Sequence, residues 1–364
     1  MLDKRSLNRA LLERQLLLKR VEISAYNAIE HLAGIQSQSP NSAYFGLWTR
    51  LLNFQKEELI NQINERSVVR IAMMRSTLHL VTDCHCLEYR TLLQPVLERG
   101  LQGNFGKFLK EIDINELMTV GRAIVEDEPR TLNELGKLLN EHWPDRDPQA
   151  LANAIRNLVP LVQVPPRGIW GKSGLALHTS AELWLGKSLA KNTLLDEMIM
   201  RYLGAFGPAS VKDIQVWSGL NRIRDVIEKL RPQLCTFIDE KGGELFDLPD
   251  SPRPDRSTPA PPRFLSEFDN VLLSYADRTR IIAKEYEELV FTKNGIIRAT
   301  VLVDGFVKGI WKIVRQSNTA ILHIELFERI SKEDHEALIL EGQDLLRFAA
   351  DDIAKHHIEF SFKE

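Results

Sequence analysis

The chain has 364 residues, 44% hydrophobic and 27% charged, enough for roughly two to four domains with cores of their own. Formal charge is −3 and no run approaches the roughly 20 apolar residues of a membrane span, which argues against a globally basic polyanion binder and an integral membrane protein. Three cysteines and a charged N-terminus argue against a disulfide framework and a secretory leader, so a cytoplasmic location is expected.

In chain order, Ser6–Arg20 reads as a helix with Ser6 as its cap. Ser24 opens a second, with Ala25, Ile29, Leu32 and Ala33 at helical spacing and Gly34 as the stop. The stretch GIQSQSP (Gly34–Pro40) then sets two amides, Gln36 and Gln38, into a turn. Asn41 is placed to cap a third helix, with an apolar face of Tyr44, Leu47, Trp48, Leu51 and Leu52. A short helix near Lys56–Glu65 precedes two strands, SVVRIAMM and STLHLVT, joined tightly at Arg75-Ser76. Helices followed by a two-stranded ribbon is the order of a winged helix.

The order recurs. Thr131-Leu-Asn-Glu134 is a capping box, a second helix runs from Pro148 to Leu158, and LVQVPPRGIWGKSG reads as a hairpin with PPRG at its tip. In the third copy Ser210 caps VKDIQVWSG, Asn221–Leu230 is a helix, and CTFID and ELFDLP flank a turn at Glu240–Gly243. The expected organisation is α+β: winged helices at 1–110, 111–190 and 191–248, then a linker at 249–262 carrying six prolines. Residues 263–364 follow as a β-barrel-like domain or curved sheet with one helix near Lys332–Phe348. Its strand-like runs are NVLLSYA, GIIRATVLVDG, FVKGIWKIV, TAILHIELF and HIEFSF, with a turn at Asp304-Gly305. Charge is uneven: residues 1–110 carry 15 Lys+Arg against 10 Asp+Glu, net +5, which leaves −8 for the rest. A polyanion surface would involve the N-terminal third, although unevenly solvated faces give the same asymmetry.

Few residues suggest chemistry. Cys84-His85-Cys86 lacks the two-residue spacer of zinc knuckles and has no fourth ligand nearby, so no metal site is expected. No phosphate loop, dinucleotide glycine pattern or nucleophile elbow is present. Gly171-Lys172-Ser173 imitates the end of a phosphate loop, but Pro166 stands where its first glycine belongs. Arg167, Trp170 and Lys172 cluster near the PPRG tip, where cation and aromatic suit phosphate contact and stacking in a groove; a tryptophan folded back on its own domain fits the same letters. His79 in the TLHLV strand reads as a DNA contact beside Arg75 or as a buried histidine. Gln36 and Gln38 read either as turn residues bonding backbone before Pro40 or as functional amides.

A resemblance shifts these odds. GIQSQSP, LWTRL (Leu47–Leu51), MRSTLHLV (Met74–Val81), PPRGIWGKSG (Pro165–Gly174), LLSYADR (Leu272–Arg278) and VLVDGFVKGIW (Val301–Trp311) resemble, in order and across nearly the whole chain, the AlkZ type of DNA glycosylase. The resemblance implies three winged helices and a β-barrel in a C shape around a DNA-sized channel. It also implies excision of alkylated bases from double-stranded DNA by a monomer, with interstrand crosslinks as further substrates. The family's pattern of glutamine, apolar residue, glutamine falls on Gln36, Ser37 and Gln38, so Gln36 and Gln38 are the expected catalytic pair. Ser37 departs from the pattern by being polar. Arg75, His79, Arg167, Trp170 and Lys172 are the expected DNA contacts, and no metal or organic cofactor is implied. The rival from the residues alone is a non-catalytic winged-helix regulator, although such proteins usually carry one module per chain and dimerise on spaced half-sites.

Overall fold

The computed structural model describes residues 1–191 and 195–363. The chain is a mixed α+β structure in which helical segments precede each short ribbon. Local signals placed many element ends. The Thr131/Glu134 and Ser210/Asp213 capping boxes are both formed, and Ser24 caps the helix Ala25–His31. Two caps differ. The first helix is Lys4–Arg14, capped by the Asp3 carboxylate, which accepts from the Ser6 amide at 2.7 Å. A carboxylate at that end also meets the positive pole of the helix. Asn41 precedes the helix Ser42–Trp48 without a side-chain capping bond, because its own backbone is already helical.

The first two ribbons share one sheet. Strands β1 (Ile35–Gln36), β2 (Val68–Ala72), β3 (Leu78–Thr82), β4 (Leu161–Gln163) and β5 (His178–Ser180) are ordered β1-β3-β2-β4-β5. Every residue of β2 is buried, so its second edge needs a partner. Strand β4 supplies it through Arg70↔Gln163 and Ile71↔Val162. The third ribbon, β6 (Cys235–Ile238) and β7 (Glu244–Asp247), forms a two-stranded sheet of its own, flanked by single bridges from Ala209 to Phe246 and from Leu2 to Asp239.

Beyond residue 262 the expected barrel is not closed. Strands β8 (Arg263–Leu265), β9 (Thr300–Val303), β10 (Phe306–Gln316), β11 (Thr319–Leu326) and β12 (Lys355–Phe362) form an open sheet ordered β12-β11-β10-β9-β8. The reason lies in the last connection. Helix Lys332–Ala349 carries the chain over so that β12 runs parallel to β11, as a crossover helix does. That helix buries Leu338, Leu345 and Leu346, and β12 ends at the edge opposite β8.

The run NVLLSYA is not a strand either. It holds a 3-10 turn, Asn270–Leu272, capped by Asp269, with Val271, Leu272 and Tyr275 fully buried. A short apolar run does not reveal its period. Residues 249–262 contain no helix or strand, yet they are strapped along the first helix. Arg5, Arg9 and Arg14 donate to the carbonyls of Arg256, Thr258 and Pro252. Among the described residues, no helix is long and apolar enough to cross a membrane.

Candidate active site

The two glutamines occupy different environments. Gly34 turns the chain into β1 at φ 91°, where a Cβ would sit 2.9 Å from Val81 Cγ1. Only glycine takes that turn so close to a neighbour. Gln36 then pairs with His79, while Ile35 pairs with Leu80 on the opposite face. Gln36 is 3% exposed; Gln38, past the strand, is exposed.

A buried network holds Gln36. Arg75 donates from Nη2 to Gln36 Oε1 at 2.7 Å and to Asn270 Oδ1 at 3.1 Å, and from Nη1 to the Trp217 carbonyl at 2.7 Å. Asn270 in turn donates from Nδ2 to the Gly34 carbonyl at 3.1 Å. Arg75 and Ser76 both adopt left-handed backbone, φ 58° and 60°, which suits a tight hairpin but costs an ordinary side chain energy. Burial, with Arg278 nearby, lowers the Arg75 pKa to about 10, so it stays a cation at neutral pH. His79 is fully buried, with Nδ1 3.0 Å from the Thr77 carbonyl and Nε2 3.5 Å from Arg75 Nη2. A carbonyl only accepts, so Nδ1 carries the proton. Burial and then Arg75 push His79 down to about 3, and it is neutral at physiological pH.

Ser37 lies in the interior. It is fully buried and its hydroxyl has no partner among the described residues, whereas its carbonyl accepts from Arg70 Nη2 at 2.8 Å. An orphaned hydroxyl is costly. Ser37→Ala is therefore expected to raise stability by about 1 kcal/mol, read as a higher urea midpoint with an unchanged slope. A lower midpoint would mean that the hydroxyl has a partner. On the other side of Ser37, Gln38 Oε1 accepts a long bond, 3.5 Å, from the Leu78 amide.

The PPRG segment does not project as a regular ribbon. Strands β4 and β5 pair, but the loop between them folds back onto the protein. Trp170 packs edge-on to Tyr44 and Phe45, centroids 5.2 and 5.4 Å away, and 5.6 Å from Phe348. Lys56 Nζ lies 4.9 Å from the Trp170 ring centroid. The Tyr44 hydroxyl donates to the Gly168 carbonyl at 3.0 Å and accepts from the Trp170 amide at 3.2 Å. Trp170→Ala is expected to cost about 3 kcal/mol of stability, with DNA affinity unchanged on folded protein. Full thermal stability with a loss of affinity would return the ring to the DNA surface.

The remaining candidates divide. Arg167 donates within its own loop to the Gly174 carbonyl, and Lys172 is exposed. His79 is buried, and Arg75 is half-buried with its guanidinium turned to Gln36, Asn270 and the Trp217 carbonyl. Cys84 is exposed, whereas Cys86 and His85 are buried on the same helix. Among the described residues, no group of three or more His, Cys, Asp or Glu is placed to hold a metal ion. The structure also brings in Asn270, Arg70 and the Trp217 carbonyl. None had a sequence signal, since Asn270 stands 195 residues from Arg75.

Comparison with known proteins points to a family and a fold. The model of the family described as DNA glycosylase AlkZ-like matches residues 29–348. An interstrand DNA cross-link repair glycosylase of Streptomyces sahachiroi is 25% identical over 332 residues, which cover 84% of this chain and 86% of that protein. The solved structure of the Streptomyces sahachiroi DNA glycosylase AlkZ superposes with a TM-score of 0.79 at 21% identity, covering 99% of this chain and all of the other.

Proposed function

The chain belongs to the AlkZ-like DNA glycosylase family, and from that premise we propose that it hydrolyses the N-glycosidic bond of cationic N7- or N3-alkylated purines in double-stranded DNA. Family membership sets the regulator reading aside. The observation that carries the substrate class is the pair Gln36 and Gln38. Among the described residues, the groups hydrogen-bonded to their side chains are the Arg75 guanidinium and the Leu78 amide. Neither amide touches a carboxylate.

Glycoside hydrolysis ordinarily uses a carboxylate pair, one acid and one base. An N7-alkylpurine carries its positive charge already. It departs as a neutral base and needs no general acid. The sugar becomes oxocarbenium-like, and water captures it if held on the correct face. Gln38, exposed and weakly bonded, has a carbonyl free to accept from that water. Gln36 has its carbonyl engaged and offers Nε2 to a sugar or phosphate oxygen. Positioning of this kind is worth several kcal/mol. No lysine stands out as a Schiff-base former, so the reaction proposed is hydrolysis without strand cleavage. Crosslinks joined through N7 leave by the same chemistry, and the Streptomyces relative bears a crosslink-repair name.

The test is release of N7-methylguanine from a duplex, scored as strand breaks after hot alkali, beside 1,N6-ethenoadenine and hypoxanthine in the same sequence. The expected rates on the neutral lesions are at least about a hundredfold lower, because a poor leaving group without an acid retains a barrier higher by about 3 kcal/mol or more. Comparable rates on all three would reveal an acid or base outside the glutamine pair. A duplex crosslinked through N7 should be opened to one strand carrying the remnant.

A further inference from the structure

Gln36 is tied to distant parts of the chain. Arg75 holds its carbonyl, and Arg75 is itself held by the Trp217 carbonyl at the end of the helix Val211–Ser218 and by Asn270 from beyond the proline-rich segment. Asn270 is 6% exposed and bonds both Arg75 and the Gly34 carbonyl. It thereby fixes the backbone entering β1 and the cation that grips the side chain leaving it. Gly219, φ 78°, packs against the same turn, where a Cβ would lie 3.5 Å from Arg75 Cα. Three separated segments of sequence therefore converge on one amide.

We propose that Arg75 and Asn270 are positioning residues that lock the amide of Gln36 in one orientation, carbonyl inward and Nε2 toward the substrate, so that Gln36 acts as a hydrogen-bond donor and not as the acceptor of the attacking water. An amide has two faces and flips at little cost when nothing holds it. A guanidinium donating at 2.7 Å permits only the orientation that turns the carbonyl toward it. The cation also polarises the amide and strengthens its N–H groups as donors. A guanidinium facing an oxocarbenium-like centre directly would oppose the charge developing there. Here the Gln36 carbonyl stands against that cation. The strained backbone at Arg75 and Ser76 fits this use, since such strain persists where the surroundings over-determine it.

The inference rests on the reading of Gln36 as part of the catalytic pair, and the experiment separates the two. Single-turnover rates and duplex affinities on N7-methylguanine DNA are measured for Gln36→Ala, Gln36→Glu, Arg75→Lys and Asn270→Ala. Glutamine-selective 15N labelling follows the Gln36 side-chain NH2 resonance in the parent and in the last two variants. Arg75→Lys and Asn270→Ala should each slow release at saturating protein by about tenfold or more, with affinity within about twofold and the Gln36 resonance shifted. Gln36→Glu, which keeps an acceptor but loses the donor, should be as slow as Gln36→Ala. A fast Gln36→Glu would overturn the donor role. Parental rates for Arg75→Lys and Asn270→Ala beside a slow Gln36→Ala would overturn the positioning role and leave the catalytic reading intact. A loss of affinity in Arg75→Lys equal to its loss of rate would make Arg75 a DNA contact instead. Parental rates for Gln36→Ala would remove the reading itself. Should Arg75→Lys fail to fold, Asn270→Ala and the resonance carry the same decision.

Discussion

Gln36→Ala and Gln38→Ala are each expected to slow base release by about a hundredfold at saturating protein, with duplex binding within about twofold of the parent. Losing one oriented hydrogen bond in a transition state typically costs a factor of about 10² to 10³. It lowers kcat and kcat/KM together when the bond forms only there. Gln36 is 3% exposed, so it offers little surface to a resting duplex and its loss should spare affinity. Gln38→Asp is the informative companion. If Gln38 accepts from the attacking water, a carboxylate in its place accepts at least as well. The variant should then keep its rate on N7-methylguanine and gain on neutral lesions. Two alanine variants that excise at the parental rate would reduce GIQSQSP to a turn, and a Gln38→Asp variant as slow as Gln38→Ala would show that the amide NH2 matters instead.

The capping boxes show what could be read locally. Thr131 meets Glu134 and Ser210 meets Asp213 within one turn, so four letters define the geometry. The Asp304-Gly305 turn was legible for the same reason, with both residues at positive φ. The glutamines were visible as a pattern but their difference in burial was not. That difference arises because β1 is only two residues long and hides Gln36 against β3 while releasing Gln38. Arg75 looked like a surface cation on a ribbon tip. It is instead half-buried, its guanidinium bound by the Trp217 carbonyl and Asn270, 142 and 195 residues away, and no periodicity encodes such a meeting. Trp170 could be read either way, because the aromatic helix face that receives it lies 126 residues earlier. The barrel was overread from a count of strands. Closure depends on where the last strand pairs, and the helix before β12 decided that.

Acid should unfold this protein through three buried histidines. His79, His85 and His178 are at most 4% exposed, and burial, with arginines nearby, pushes them down to about 3, 4 and 4. Their ordinary value is about 6.5. Below that pH the unfolded chain takes up protons that the folded chain refuses. Stability is thus complete above about pH 6.5 and is lost as pH falls toward the folded values. Each such histidine contributes a slope of about 1.4 kcal/mol per pH unit within that window, so three give at most about 4 kcal/mol per unit near pH 5. His85 should contribute least. The Glu30 carboxylate lies 3.6 Å from its Nε2 and favours the proton, although Arg201 draws on the same carboxylate at 3.5 Å. Against a total stability of about 5 to 15 kcal/mol, unfolding is expected between about pH 5 and pH 4. Urea melts at half-unit steps from pH 7.5 to 4.5 would measure the slope. His178→Gln, away from the glutamine pair, should flatten it by about a third if the three share it equally. Stability that stays level from pH 7 to pH 5 would mean that these rings protonate without unfolding the chain, and that the interior around β3 and β5 admits a charge.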